Sequence, residues 1–181
     1  MPCFLLIIGL LRGSMEIGIL SDTHNHLSNL IRCLSTFVSR QIQTVVHCGD
    51  LVDEDLIDYF TGFQLIFVYG NCDHYPQSLQ KLVSDLGMDS FAGDQFEGIV
   101  GGKRIFAAHG NVEGQISQAA MSNKYDYVFF GHTHRFKDEM RLQTRLINPG
   151  ALGGTRRESR SFCILDLETG KLERIQVADK G

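Results

Sequence analysis

Short apolar runs alternate with longer amphipathic segments through the first half of the chain. Residues 27–40 carry apolar side chains at 27, 30, 31, 34, 37 and 38, a spacing typical of one face of a helix. The runs at 16–20, 44–47 and 65–69 are short and apolar and precede polar turns, which predicts buried strands. Further helices are predicted at 56–60 and 79–86. This alternation favours parallel βαβ units.

The pattern changes in the second half. Gly101-Gly102 separates the apolar runs 96–100 and 103–108, and two glycines in this position indicate a hairpin. After a predicted helix at 112–123, further strands are predicted at 127–130, 139–142, 145–148, 162–166 and 172–177. Parallel units followed by hairpins predict a mixed α/β architecture. A chain of 181 residues is the length of one domain, which we place at residues 15–181.

The first fourteen residues, MPCFLLIIGLLRGS, do not fit this pattern. Their apolar run from Phe4 to Leu11 lacks the positive start and small-residue cleavage site of a signal peptide. We interpret residues 1–14 as an extension from an upstream start, or as an extra segment that covers apolar surface or an oligomer contact. A degenerate export signal is the alternative.

Composition excludes several classes of function. The net charge is −4 and the 17 basic residues are scattered, so we expect no broad nucleic-acid footprint. No apolar stretch reaches the roughly 18 residues of a membrane span, so we expect no membrane partner. The five cysteines are odd in number and lack C-x-x-C spacing, which indicates reduced thiols in a cytoplasmic protein.

Polar side chains gather where the predicted strands end. Five strands end in a glycine or tight turn that carries Asp, Asn or His, in the sequences SDTH, HCGD, GNCD, AHG and GHTH. In α/β sheets, ligands bind outside the carboxyl ends of the strands. If these ends share one edge, they bring together Asp22, His24, Asp50, Asn71, His109, His132 and His134.

Side chains of these types are suited to a metal site. In Asp-x-His and His-x-His, an extended backbone would place the flanking pair on one side. Neighbouring glycines would let the backbone turn and leave room for a substrate. Oxygen and imidazole ligands suit Mn²⁺, Fe²⁺, Zn²⁺, Co²⁺ or Ni²⁺. The set is too large for one tetrahedral ion, so we expect two ions about 3.5–4 Å apart with a bridging carboxylate.

Each motif has a simpler explanation when it is taken alone. Asp22 could cap a turn, Asp50 could cap a helix after an ordinary βα turn, and His109 could be a satisfied, half-buried histidine. His47, which lies inside a predicted strand, is expected in the core. Together, and all at strand ends, the motifs favour the metal site.

The order of these motifs resembles that of the calcineurin-like metallophosphoesterases. SDTHN, HCGD, GNCD, AAHG, GHTH and NPG are similar to the motifs of the small, single-domain YfcE-like phosphodiesterases, which also resemble the scaffold protein Vps29. The resemblance covers Met15 to Val177. It implies an α/β fold, a four-layer αββα sandwich of two mixed β-sheets flanked by helices.

The resemblance also implies a role for each residue. Ligands of the first metal would be Asp22, His24 and His134. Ligands of the second would be Asn71, His109 and His132, with Asp50 bridging both. The implied cofactors are two divalent transition metal ions per chain, Mn²⁺ first and Fe, Zn, Ni or Co as alternatives. In this family a metal-bridging hydroxide attacks phosphorus, which would make the catalytic residues Asp22, Asp50, Asn71 and His109.

Three further residues lie next to these motifs and are candidates for substrate binding. They are Asn25, His26 and Asp73. For Asn25 the alternative is that it only shapes the turn.

One position departs from the wider superfamily. Many of its phosphatases carry a histidine after the Gly-Asn pair, where it helps protonate the leaving group. Here that residue is Cys72, and Asp53 stands where the partner of the histidine would be. The departure favours a small phosphodiester substrate with a good leaving group. A Vps29-like metal-binding scaffold and a phosphomonoesterase are the alternatives, and a homo-oligomer is compatible with the sequence.

Overall fold

The computed structural model describes residues 15–154 and 159–177. The predictions for residues 1–14 lie outside this part of the chain. The strands are β1 (Glu16–Leu20), β2 (Thr44–His47), β3 (Gln64–Val68), β4 (Phe91–Gly93), β5 (Gln95–Val100), β6 (Lys103–Ala108), β7 (Tyr127–Phe129), β8 (Lys137–Arg141), β9 (Thr144–Asn148), β10 (Arg160–Asp166) and β11 (Leu172–Val177). The helices are α1 (Leu27–Ser39), α2 (Pro76–Asp85), α3 (Gln115–Met121) and a 3₁₀ helix at Glu54–Phe60.

The strands form two mixed sheets. The first has the order β11-β10-β1-β2-β3-β4, in which β1 to β4 run parallel and β10 and β11 add an antiparallel pair beside β1. The second has the order β5-β6-β7-β9-β8, with three parallel strands in the centre and an antiparallel strand at each edge. Both sheets therefore combine the parallel and antiparallel pairing that the sequence predicts.

Three apolar clusters separate four layers. The first packs α1 and the 3₁₀ helix onto one face of the first sheet, where Phe37 and Phe60 are fully buried. The second lies between the sheets and includes Ile19 of β1 and Phe129 of β7. The third joins α3 to the outer face of the second sheet through Ala120. The layers are helix, sheet, sheet and helix, which confirms the expected αββα sandwich.

Most predicted elements are present, with ends that differ by a few residues. α2 begins at Pro76, earlier than predicted, because the fixed φ of proline suits the first turn of a helix. α3 begins after Gly114, which has a φ of 78°. The sequence does not predict β4, since three residues are too few to show a periodic pattern. No described helix has both the length and the apolarity that a membrane crossing requires.

Candidate metal centre between the two sheets

The polar strand ends meet at the edge that the two sheets share. Asp22, His24, Asp50 and Asn71 follow β1, β2 and β3 of the first sheet, whereas His109, His132 and His134 follow β6 and β7 of the second. The expected convergence therefore occurs across two sheets. Strands that are parallel within each sheet bring their carboxyl ends to the same cleft.

A first group of three side chains lies in close contact. His134 Nε2 is 3.1 Å from Asp22 Oδ1, and His24 Nε2 is 3.9 Å from the same oxygen. The two Nε2 atoms are 3.2 Å apart. One ligand atom from each of the three residues fits within the span that one metal ion requires. These are the three residues that the resemblance assigns to the first metal.

Asp50 lies between this group and His109. Its Oδ2 atom is 3.6 Å from His24 Nε2 and 3.4 Å from His109 Nε2. Its Oδ1 atom accepts the Cys72 backbone N–H at 2.8 Å. One oxygen of Asp50 thus faces histidines of both predicted ligand sets, which is the position that a bridging carboxylate needs.

His109 is fixed in one orientation. Its Nδ1 atom is 2.7 Å from the Cys48 carbonyl oxygen, and the side chain is buried. Because a carbonyl oxygen only accepts, Nδ1 carries the proton and donates, which leaves Nε2 available as a metal ligand, 3.4 Å from Asp50 Oδ2. A backbone carbonyl that holds the second ring nitrogen is the usual support of a metal-binding histidine.

Asn71 and His132 face the remaining side of the cleft. Both are exposed and line a volume of about 480 Å³ together with His24, Asp50 and His134. The ring of His132 packs against His109 at a centroid distance of 5.1 Å. The backbone N–H of His132 donates to Asp22 Oδ2 at 3.1 Å, which ties the two sheets together at the site.

The backbone at the ligands is not extended, and the spacing argument for Asp-x-His and His-x-His was wrong in this respect. Asp22, His24, Asp50, His132 and His134 have positive φ values between 42° and 63°. Asp and His are among the few residues that tolerate this region. Such residues cost about 1–3 kcal/mol each and collect at ligand clamps. Tight left-handed turns, not strand alternation, direct these side chains into one cleft.

Two glycines make room for the ligands themselves. A Cβ on Gly70 would lie 2.1 Å from Asp50 Oδ1. A Cβ on Gly131 would lie 1.9 Å from Ser21 Oγ and 2.7 Å from Asp22 Oδ2. The glycines at these motifs therefore give space to the carboxylates, in addition to any room they leave for a substrate.

The charge states of Asp50 and His24 suit metal binding. Burial alone would raise the pKa of Asp50, but His109, the Cys72 backbone N–H and His24 hold that pKa well below its ordinary value. Burial lowers the pKa of His24, and Asp50 and Asp22 offset this only in part. Burial would also lower the pKa of His109, but its contacts with Asp50 raise it. An anionic Asp50 and a neutral His24 are the forms that bind metals.

Three buried polar atoms of the cluster have no hydrogen-bond partner. They are Asp22 Oδ1, His109 Nε2 and His134 Nδ1. Leaving such an atom unpaired costs about 1–3 kcal/mol. Asp22, His109 and His134 also belong to groups of three residues that could each hold one ion. The donor set therefore fits divalent cations.

The residues predicted to bind substrate lie in three different positions. His26 is exposed and lines the cleft. Asn25 Oδ1 accepts the Asp53 backbone N–H at 2.8 Å, which matches the turn-shaping alternative. Asp73 is only 8% exposed, and its carboxylate accepts four backbone N–H groups, so the structure contradicts a contact between Asp73 and substrate.

Cys72 and Asp53 stand at the positions of the histidine and its acidic partner in the superfamily pattern, but these two side chains do not form a pair. Asp53 caps the 3₁₀ helix by accepting the Asp55 backbone N–H at 3.1 Å. Cys72 lines the cleft, and burial together with Asp50 raises its pKa to about 11. Asn71 Nδ2 lies 3.4 Å from its Sγ atom.

Sequence analysis missed several residues that support the ligands. Ser21 Oγ donates to Asp22 Oδ2 at 2.6 Å, and Asn148 Nδ2 donates to the Gly131 carbonyl at 2.7 Å. Their position inside the SDTH and NPG motifs was the available signal. His47 is buried as expected, and it bonds to Thr23 Oγ1 through Nε2 at 2.9 Å. Burial lowers the pKa of His47 to about 3.

Comparisons with known proteins agree with this geometry. A phosphodiesterase of Methanocaldococcus jannaschii, MJ0936, is 32% identical over 163 residues, which are 89% of this chain and 98% of that protein. The solved structure of an archaeal phosphodiesterase matches with a TM-score of 0.86 and 32% identity, over 90% of this chain and 100% of the other. Zinc-bound Vps29 of Entamoeba histolytica has the same fold, with a TM-score of 0.67 and 17% identity over 92% and 95% of the two chains.

A family model covers the whole candidate site. The model of the calcineurin-like phosphoesterase superfamily domain matches residues 15–170, from the strand before Asp22 to beyond His134. This range includes all seven predicted ligands. The chain therefore belongs to the calcineurin-like phosphoesterase superfamily.

Proposed function

We propose that this phosphoesterase is a metal-dependent phosphodiesterase that uses two divalent ions, with Mn²⁺ as the first candidate, to hydrolyse a small phosphodiester. The observation that carries the proposal is the position of Asp50, whose Oδ2 atom lies 3.6 Å from His24 Nε2 and 3.4 Å from His109 Nε2. A carboxylate placed between two ligand groups is the arrangement of two-metal hydrolases.

The residues of the chain would hold and orient the reacting groups. Asp22, His24 and His134 would hold one ion, Asn71, His109 and His132 the other, and Asp50 both. When bound, two such ions lower the pKa of a water molecule towards neutrality and stabilise negative charge on phosphate. The Cys48 carbonyl and the Cys72 backbone N–H keep His109 and Asp50 aimed at this position.

A relative favours a diester, and the cleft favours a substrate with a good leaving group. The relative MJ0936, at 32% identity, is named a phosphodiesterase. The cleft also presents Cys72 at the position where many phosphatases of the superfamily carry a histidine acid, so the usual proton donor is missing. Without a general acid, a poor leaving group would depart unprotonated. Aryl and cyclic diesters are therefore the substrates that we expect this site to hydrolyse fastest.

A Vps29-like scaffold with little turnover is the second candidate, because Vps29 shares the fold. The full set of seven oxygen and imidazole ligands supports the enzyme instead. The four described cysteines are free thiols, which supports the proposal of a cytoplasmic protein. A homo-oligomer remains a prediction.

Purified protein with added Mn²⁺, assayed on an aryl phosphodiester and the matching monoester, tests the proposal. We expect faster hydrolysis of the diester, and at least a thousandfold loss in Asp50→Asn with the circular dichroism spectrum unchanged. Asp85→Asn, at an exposed carboxylate that pairs with Lys81, is the matched control and should keep full activity. Equal turnover of the monoester, or no Mn²⁺-dependent turnover, would contradict the proposal.

A further inference from the structure

The carboxylate of Asp73 gathers backbone N–H groups from two loops. Its Oδ1 atom accepts from Leu51 and Val52, both at 2.9 Å. Its Oδ2 atom accepts from Asp50 at 2.9 Å and from Gly70 at 2.7 Å. A carboxylate has about four lone-pair sites, so these bonds use its full capacity.

The loop held in this way carries the bridging residue. Three successive N–H groups, at positions 50 to 52, converge on one carboxylate, which is the geometry of a backbone nest for anions. Asp50 has a φ of 58° and Val52 a φ of 81°. A β-branched residue such as valine is an outlier in this region and persists only where its surroundings impose it. The Asp73 carboxylate supplies the bonds that impose it.

The contacts are reciprocal. The loop of Asp50 donates three N–H groups to Asp73, and the loop of Asp73 donates the Cys72 N–H to Asp50 Oδ1 at 2.8 Å. Gly70 lies at the crossing, where a Cβ would be 2.1 Å from Asp50 Oδ1. The two loops therefore fix each other, and the Asp50 carboxylate has little freedom to rotate.

We propose that Asp73 is the positioning residue for the bridging carboxylate, which it sets between the two ligand groups before any metal binds. This inference rests on the two-metal site proposed above and gives Asp73 no contact with substrate. Replacing a residue that orients a metal ligand through hydrogen bonds typically lowers metal affinity by about 10–100-fold. The proposal therefore concerns metal affinity more than the chemical step.

Asp73→Asn is the sharpest variant because it keeps the shape of the side chain. The amide oxygen of this variant can still accept two of the backbone N–H groups. Its NH₂ group would face the other two, and two donors cannot bond to each other. Asp73→Ser is the second variant, with a smaller side chain and one hydroxyl. Asp126→Asn is the matched control, since the Asp126 carboxylate also accepts a backbone N–H, from Arg104 at 2.7 Å, at the opposite end of the second sheet.

Mn²⁺ titration by calorimetry and by electron paramagnetic resonance measures the number and affinity of bound ions. We expect two ions in the wild type, at least one of them bound about 10–100-fold more weakly in both Asp73 variants, and wild-type affinity in Asp126→Asn. Diester hydrolysis by the Asp73 variants should recover most of its kcat at saturating Mn²⁺. Folded Asp73 variants that bind both ions as the wild type does would overturn this inference alone. A wild type with one ion would overturn the two-metal function and this inference with it.

Hydrogen exchange on the wild-type protein tests the positioning role of Asp73 even if the Asp73 variants do not fold. The amides of Asp50, Leu51, Val52 and Gly70 should be protected in the metal-free protein, and added Zn²⁺ should change their protection little. Amides that exchange freely until Zn²⁺ is added would show that the metal, not Asp73, sets the loop, and would overturn the inference.

Discussion

Replacing Gly70 by alanine tests whether the metal centre depends on the close approach of two loops. A Cβ at this position would lie 2.1 Å from Asp50 Oδ1 and 2.4 Å from the Asp50 backbone nitrogen. The φ of Gly70 is outside the left-handed region, so alanine adds a collision without forcing an unfavourable backbone. The two loops must separate, because rotation of the Asp50 carboxylate would not relieve the clash with the backbone nitrogen.

The size of the effect follows from these distances. Ordinary van der Waals contact begins at 3.4 Å, so the oxygen at 2.1 Å must move by about 1.3 Å. Overpacking of this kind costs about 1–3 kcal/mol. Each kcal/mol lowers Tm by about 2–4 °C in a chain of this size. A displacement of about 1 Å at a reacting centre costs about a hundredfold in rate.

Gly70→Ala should therefore remain folded but lose about a hundredfold in kcat/KM on an aryl diester, with weaker Mn²⁺ binding. Thermal denaturation and metal titration on the same samples separate stability from site geometry. Gly62→Ala is the matched control, because Gly62 has a φ of 94° but no atom within 4 Å of an added Cβ. It should lose some stability and keep its activity.

One result would refute this reasoning. If Gly70→Ala kept wild-type activity and Mn²⁺ affinity, the Asp50 carboxylate would not need the position it has in this structure. An equal loss of activity in Gly62→Ala would show that the assay follows stability and not the geometry of the site.

Three further predictions follow from other parts of the molecule. Cys72→Ser should stay within a few-fold of wild-type activity, and an inactive Cys72→Ser would contradict this. Cys72→His should speed the hydrolysis of alkyl diesters more than that of aryl diesters, because only poor leaving groups need an acid. Stability measured by urea denaturation should fall as pH drops from 6.5 towards 3, because the unfolded chain takes up a proton that buried His47 does not; His47→Gln should flatten this slope. A chain that starts at Met15 should stay active, since β1 begins at Glu16, and a folded but inactive product would contradict this.

Local sequence signals were sufficient for most of the elements and for the motifs that carry the predicted ligands. Apolar runs located β2 and β11 at their observed bounds, because a buried strand leaves a mark within a few residues. Glycine beside Asp, Asn or His located four of the five strand ends at the cleft, and the Asp-x-His spacing of SDTH located the fifth. Each of these signals lies within a few neighbouring residues, so it can be recognised in a single sequence.

Non-local pairing was beyond the reach of the sequence. β1 pairs with β10 through Ile19 and Cys163, a partnership that no local pattern encodes. The division of the ligands between two sheets depends on such pairings, and so does the role of Asp73, whose partners lie about twenty residues away. The left-handed φ values at the ligands were missed because Asp and His occupy extended and left-handed backbone alike.

The division of the site between two sheets has a consequence for biosynthesis. His134 comes more than a hundred residues after Asp22, yet both belong to the first ligand group. A chain that has been made only as far as residue 133 has neither this group nor the β10 strand that pairs with β1. Ions that bind only the finished fold stabilise it by mass action and offer nothing to shorter chains. Under the two-metal proposal, the first ion is therefore held only by a chain that has been made beyond His134 and has brought the two sheets together.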